Sequence, residues 1–146
     1  MTFTAQLRWR FGDVDAAGIA YYPKLLHAFH CAFEDWWSDG LGRPYAEVMR
    51  DEHLGLPAVR LEADFRAPVR FGDDLDVHLG VLRVGTSSVE LGFWMTKFRG
   101  DEALCRLRVV TAAVDVRTMT KLRLPAKWRE AFAPFALAEA DFPSWR

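Results

Sequence analysis

Apolar and polar residues alternate from the start of the chain. Phe3, Ala5, Leu7, Trp9 and Phe11 are apolar, while Thr4, Gln6, Arg8 and Arg10 are polar. A period of two predicts a half-buried strand, because successive side chains leave a strand on opposite faces. Residues 12–20 are small, acidic and glycine-bearing, which suits a loop. Pro23 fits the first turn of a helix, where its missing N–H has no partner to lose. From Tyr22 to about Ser38 the period lengthens. Leu25, Phe29, Phe33 and Trp36 recur at helical spacing, and Leu26, Ala32 and Trp37 widen that stripe. His27, Glu34, Asp35 and Ser38 form a narrower polar side. The spacing predicts a mostly buried helix that Gly40 and Gly42 stop. A short second helix is expected over Tyr45 to Asp51.

The second half returns to period two. Val59 to Phe65, Leu75 to Val81, Val89 to Met95 and Ala103 to Val109 each put apolar residues at odd positions. From Val110 the apolar positions become even, at Ala112, Val114 and Val116, which predicts a bulge or a change of buried face. The breaks at 71–74, 84–88 and 98–102 are short, so these strands are expected to be antiparallel neighbours. Pro125 opens a last helix through Phe132, and the tail to Arg146 shows little periodicity. Several one-faced strands and one long helix predict an α+β fold, a curved antiparallel sheet wrapped around that helix. The opposite sheet face is polar and is expected to meet water or another sheet.

Composition narrows the function. The chain has 146 residues, enough for a single domain over 1–146. Its formal net charge of -1 offers no footprint for nucleic acid. No apolar run approaches the roughly 18 residues of a membrane span, and no signal peptide is visible, so a cytoplasmic protein is expected. Cys31 and Cys105 are expected to be buried free thiols. Phe, Trp and Tyr make up 14% of the residues.

No nucleotide loop, zinc helix or serine-elbow motif is present. The most loaded stretch is Phe11 to Pro23, FGDVDAAGIAYYP. Asp13 and Asp15 precede a helix start, whose free N–H groups and positive dipole end favour negative charge. A carboxylate facing such donors suits acyl transfer, attacking or activating water while the donors hold the oxyanion. Ordinary loop or capping acids, or a metal site, fit the same two carboxylates. His27 and His30 are three apart, which suits a metal pair or partly buried structural histidines. Trp36 and Trp37 suit the core or an acyl pocket. Lys121, Arg123, Lys127 and Arg129 are expected on a solvated surface.

The stretch FGDVDAAGIAYYP closely resembles the signature of hotdog-fold thioesterases of the 4-hydroxybenzoyl-CoA type. Asp15, Gly18, Ile19, Ala20, Tyr21, Tyr22 and Pro23 fall on that pattern in order, and the likeness extends over roughly residues 5–130. The resemblance implies a hotdog fold and hydrolysis of an aromatic acyl-CoA to the acid and free CoA. It implies Asp15 as nucleophile or general base, the Tyr22 backbone N–H as the group polarising the carbonyl, and Gly18 as the glycine that permits the tight approach. Ile19 and Tyr21 then border the substrate. No metal or cofactor is implied, and no catalytic role carries over to Asp13. A homodimer, or a homotetramer built as a dimer of dimers, is implied, with the active site between protomers.

Two positions depart from the family pattern. Tyr22 stands where the short-chain branch often has histidine, which favours aromatic acyl groups over aliphatic ones. The turn RVGTSS carries only Arg83, so Arg66, Arg70, Lys97 and Arg99 become the candidate partners for the CoA phosphates, or else solvated strand-face charges. A short-chain aliphatic thioesterase, a hydratase on the same fold, and a non-catalytic acyl-CoA or acyl-carrier binder are the alternatives.

Overall fold

The computed structural model describes residues 1–144. In chain order the elements are β1 (Phe3–Arg8), a 3-10 turn (Phe11–Asp13), α1 (Tyr22–Asp35) and a π turn (Trp36–Gly40). Then come α2 (Tyr45–Glu52), β2 (Leu54–Gly55), β3 (Ala58–Phe65), β4 (Asp74–Val84), β5 (Ser88–Lys97) and β6 (Ala103–Ala112). Two short strands, β7 (Val114–Asp115) and β8 (Thr120–Lys121), precede α3 (Ala126–Phe132). The main sheet is antiparallel with order β1-β4-β5-β6-β3. A small sheet, β2-β7-β8, lies beside it.

The long strands use their odd positions to build the core. Leu75, Val77, Leu79, Leu91, Phe93, Met95, Cys105 and Leu107 are buried against Leu25, Phe29, Phe33, Trp36 and Trp37 from α1 and its π turn. The architecture is the hotdog arrangement, a sheet wrapped around one long helix. Trp36 and Trp37 are fully buried, in ring contact with each other and with Phe132, so they belong to the core. The π turn lets the chain carry both indoles inward before Gly42, at φ 79°, turns it away.

Several expectations are corrected. β1 stops at Arg8, because the Trp9 carbonyl and N–H are taken by Gly72 and Asp73 rather than by a strand. Phe11 consequently leaves the alternating face and is 77% exposed. β3 and β4 are not neighbours. Residues 66–73 run from the Leu104 end of β6 past the hairpin before α1, so β3 pairs with β6 on the far edge while β4 pairs with β1 and β5. Buried Val69 pins that crossover. The odd face of β6 also runs past Val110 to buried Thr111, whose hydroxyl donates to the Val89 carbonyl at 2.8 Å. The phase changes at Ala113 and Val114, where the chain leaves the main sheet for the small one.

The outer sheet face is covered by the chain's own tail. The Leu137 N–H donates to the Val81 carbonyl at 2.8 Å, just beyond the end of short β1. Gly80 and Gly92 are register partners on that face. A Cβ on Gly80 would lie 2.7 Å from Leu137, and one on Gly92 would lie 2.9 Å from the Phe142 ring. The two glycines thus make a shallow seat for two apolar side chains. The Arg106 and Arg108 guanidinium groups each lie 5.2 Å from the Phe142 ring centre, and Arg108 also pairs with Glu139 and Glu90. Lys127 is exposed and pairs with Glu52 at 2.7 Å, while half-buried Arg129 donates to the Gly85 carbonyl at 2.9 Å.

Candidate active site

Residues 13–21 form a tight hairpin that delivers the chain into α1. The Asp15 N–H donates to the Ile19 carbonyl at 2.9 Å, and the Tyr21 N–H donates to the Asp13 carbonyl at 3.2 Å. Gly18 closes the turn at φ 77°, a conformation that a side chain would strain, and its N–H donates to the Asp15 carbonyl at 3.0 Å. The hairpin is tied to the crossover below it. Ile19 bridges Arg70, and the Ala20 N–H donates to the Val69 carbonyl at 2.7 Å. The crossover that separates β3 from β4 therefore also holds the Asp15 loop against the rest of the fold.

Asp13 and Asp15 each accept one local backbone N–H on the carboxylate. Asp13 accepts the Arg10 N–H on its carboxylate, and its carbonyl accepts the Trp9 indole N–H. The Arg10 contact is a loop-capping contact. The Asp15 carboxylate accepts the Ala17 N–H at 2.8 Å through Oδ1. Its Oδ2 has no hydrogen-bond partner among the described residues, and the side chain is exposed.

The start of α1 supplies a matching donor. Pro23 has no N–H, and the N–H groups of Lys24 and Leu25 both turn back to the Tyr21 carbonyl. The Tyr22 N–H is left without an acceptor among the described residues, at the positive end of a 14-residue helix. The structure thus brings Asp15, Gly18, Ile19, Tyr21 and Tyr22 onto one hairpin and helix start. Exposed aromatic rings lie on and near this hairpin. Tyr21 and Tyr22 are in contact at 5.6 Å, Tyr22 meets Phe65 of β3 at 6.5 Å, and Phe11 meets Phe71 at 5.8 Å. All five of these residues are at least half exposed.

Beneath α1 lies an apolar cavity of about 530 Å³ that the sequence pattern did not reveal. Leu26, Phe29, His30 and Phe33 of α1 form one wall and Phe93 and Val109 of the sheet another. Tyr45 and Met49 of α2 also line it. Phe29 and Phe33 had the spacing of core residues, and nothing in that spacing tells a wall from a filled interior.

Other candidates stay apart. His27 and His30 are exposed rather than partly buried, because the polar stripe of α1 faces outward. His30 pairs with Glu34 at 3.0 Å, and His27 lies 3.5 Å from the Cys31 sulfur. Cys31 is exposed, not buried, on that same stripe. No group of three or more metal-ligating side chains occurs among the described residues. Arg70 lies at the crossover beside the hairpin, Lys97 pairs with Asp73 at 2.6 Å, and Arg99 lies over the Phe98 ring. No described helix is long and apolar enough to cross a membrane.

A family model described as the thioesterase-like superfamily matches residues 9–135. A 1,4-dihydroxy-2-naphthoyl-CoA hydrolase from Picosynechococcus sp. is 34% identical over 129 residues, covering 86% of this chain and 88% of that protein. One of the same name from Synechococcus sp. is 33% identical over 135 residues, covering 84% of each. Among solved structures, a thioesterase superfamily member from Jannaschia sp. superposes with a TM-score of 0.86 at 26% identity, covering 94% of both chains.

Proposed function

The chain belongs to the thioesterase-like superfamily and is a thioester hydrolase acting on acyl-CoA, and from that premise we propose that its substrate carries an aromatic acyl group and that Asp15 drives the cleavage. The observation that supports this most is the pairing of an exposed, half-unpartnered Asp15 carboxylate with the unpaired Tyr22 N–H across one short hairpin. The Tyr22 N–H donates to the thioester oxygen as it becomes an oxyanion. That donor is already oriented by the helix and needs little reorganisation. Asp15 attacks the carbonyl carbon, or takes a proton from the water that does. The C–S bond breaks, CoA leaves as its thiol, and water supplies the hydroxyl of the acid product. Gly18 keeps the hairpin tight, and Ile19 and Tyr21 border the substrate.

The aromatic reading rests on the exposed rings on and near the hairpin and on relatives named for a dihydroxynaphthoyl-CoA. A naphthoyl or 4-hydroxybenzoyl thioester is the first substrate to assay. A second copy of the chain completes the site. β3 is an open sheet edge bearing Val59, Leu61 and Phe65, all about half exposed or more, and pairing two such edges places each hairpin against the partner. The assembly is that homodimer, or a homotetramer built as a dimer of dimers.

Asp15→Asn tests the reading. It should lower kcat/KM by about 10²- to 10⁴-fold on an aromatic thioester with the fold unchanged. Hydrolysis at the wild-type rate refutes a catalytic Asp15. In a panel of aromatic and aliphatic thioesters, faster turnover of short aliphatic ones overturns the aromatic assignment. Formation of a hydrated acyl-CoA without thiol release points to a hydratase instead.

A further inference from the structure

We propose that Trp9 is a positioning residue for the hydrolysis: its indole N–H holds the neck of the 13–21 hairpin and so sets where Asp15 stands relative to the Tyr22 N–H. The inference rests on the reading of Asp15 as the catalytic carboxylate.

Packing alone does not place this hairpin. No residue from Arg10 to Lys24 is buried. A segment with so few buried contacts opens locally unless hydrogen bonds hold it. At the neck one carbonyl joins three segments. The Asp13 carbonyl accepts the Tyr21 N–H at 3.2 Å and the Trp9 indole N–H at 3.1 Å. A carbonyl oxygen has two lone pairs and takes both donors. Asp13 stands two residues before Asp15, and Tyr21 directly before Tyr22. That carbonyl therefore ties the arm carrying the carboxylate to the arm carrying the donor, and Trp9 ties both to the core.

Trp9 is itself a firm anchor. It is 2% exposed and belongs to the main core. Its N–H donates to the Asp73 carbonyl at 2.8 Å, and its carbonyl accepts the Gly72 N–H at 2.9 Å. The Asp73 carboxylate is held in turn by the Arg70 N–H at 2.7 Å and by Lys97 at 2.6 Å. Two other indoles give the contrast. Trp36 and Trp37 pack in the same core, and their ring N–H groups meet no acceptor among the described residues. Bulk alone accounts for those two, whereas the Trp9 N–H is aimed at the hairpin. Without it the ring still fills its place, but the neck loses its tie to the core. Asp15 and the Tyr22 N–H then wander relative to one another, and a misplacement of about 1 Å costs on the order of 100-fold in rate.

The test replaces Trp9 site-specifically by its benzothiophene analogue, which keeps the ring shape and has sulfur in place of the N–H. Hydrolysis of 4-hydroxybenzoyl-CoA by the full chain should show kcat lowered about 10- to 100-fold. KM should stay within about twofold, since the tie acts on the chemical step rather than on substrate binding. Trp9→Phe should show the same split. The analogue at position 36, where no hydrogen bond is lost, should leave kcat unchanged. In an Asp15→Asn background the position 9 analogue should cost less than about twofold, because its effect runs through Asp15. Amide hydrogen exchange over residues 13–22 should quicken in the position 9 analogue while exchange in β5 stays the same. A wild-type kcat in that analogue overturns the proposal, and so does an equal loss with and without Asp15. Unchanged exchange over 13–22 overturns the clamp. A wild-type rate in Asp15→Asn alone defeats the catalytic reading and the positioning role with it, and quicker exchange in the analogue then leaves Trp9 a structural clamp only.

Discussion

Gly92→Ala should destabilise the protein only while Phe142 is in place. Gly92 lies on the outer face of β5, and its missing Cβ leaves the seat that the Phe142 ring fills. A Cβ there would be 2.9 Å from two ring carbons and 3.1 Å from the Leu82 Cδ1. The Leu82 contact involves the end of a flexible side chain and can relax. The ring is held between Arg106 and Arg108 and beside Trp94, so it cannot shift without leaving its seat. Overpacking of this kind costs about 1–3 kcal/mol. Replacing a strand glycine by alanine otherwise gains roughly 0.5–1 kcal/mol. The net loss in the wild-type background should be about 1–2 kcal/mol. Phe142→Ala alone should cost about 3 kcal/mol, the lower end for a buried phenylalanine, since the tail lies on the sheet rather than inside it. With the ring gone, the new Cβ meets only the flexible end of Leu82, and Gly92→Ala should become neutral or slightly stabilising. The coupling between the two changes is then roughly 1–3 kcal/mol, as touching residues show. Urea unfolding followed by far-ultraviolet circular dichroism reads all four proteins. They must be compared at one protein concentration, because self-association adds to apparent stability. An equal cost of Gly92→Ala with and without Phe142 refutes the seat.

Gly18→Val places a β-branched residue at φ 77° and should cost about 1–3 kcal/mol of local strain, with kcat/KM falling as the hairpin shifts Asp15. Unchanged kinetics would remove Gly18 from the site. Thiol titration should find one accessible cysteine in the native protein. Cys31 is exposed, whereas burial pushes the Cys105 thiol up to about 12 and hides it until the chain unfolds. Two fast native thiols contradict that packing. The Arg117 side chain and backbone N–H hydrogen-bond Asp115 and hold its carboxyl at about 2. A depressed carboxyl stabilises the fold above the usual carboxylate range, and that contribution is lost as pH falls through about 2. Arg117→Ala should return Asp115 toward ordinary titration by carbon NMR, and a value still near 2 rules out the arginine as the cause.

The local elements and the candidate site lay close together in sequence, and both were legible there. Alternation at Leu75–Val81 and Val89–Met95 marked strands because pleating alone sends neighbours to opposite faces. Pro23 and the stripe Leu25, Phe29, Phe33 marked the helix and its start. Asp15, Gly18 and Tyr22 span eight residues, so one hairpin brings them together. What depends on distant residues was hidden. β3 and β4 are separated by a short connection, yet that connection, with Val69 buried, runs past the hairpin before α1, and the two strands take different places in the sheet. The tail from Ala133 to Phe142 has no period, because single side chains, Leu137 and Phe142, fill single glycine seats rather than forming a continuous face.

The sequence by itself determined which segments are strands and helices, where the long helix begins, and which carboxylate precedes it. These follow from period, proline and glycine, which act within a few residues. Only the tertiary structure decided the strand order, the covering of the outer face and the hollow beneath α1. Those depend on which apolar surfaces meet across the chain and how completely their side chains fill the space between them. A helical stripe such as Leu26, Phe29 and Phe33 reads the same whether it packs against solid core or walls a cavity of about 530 Å³.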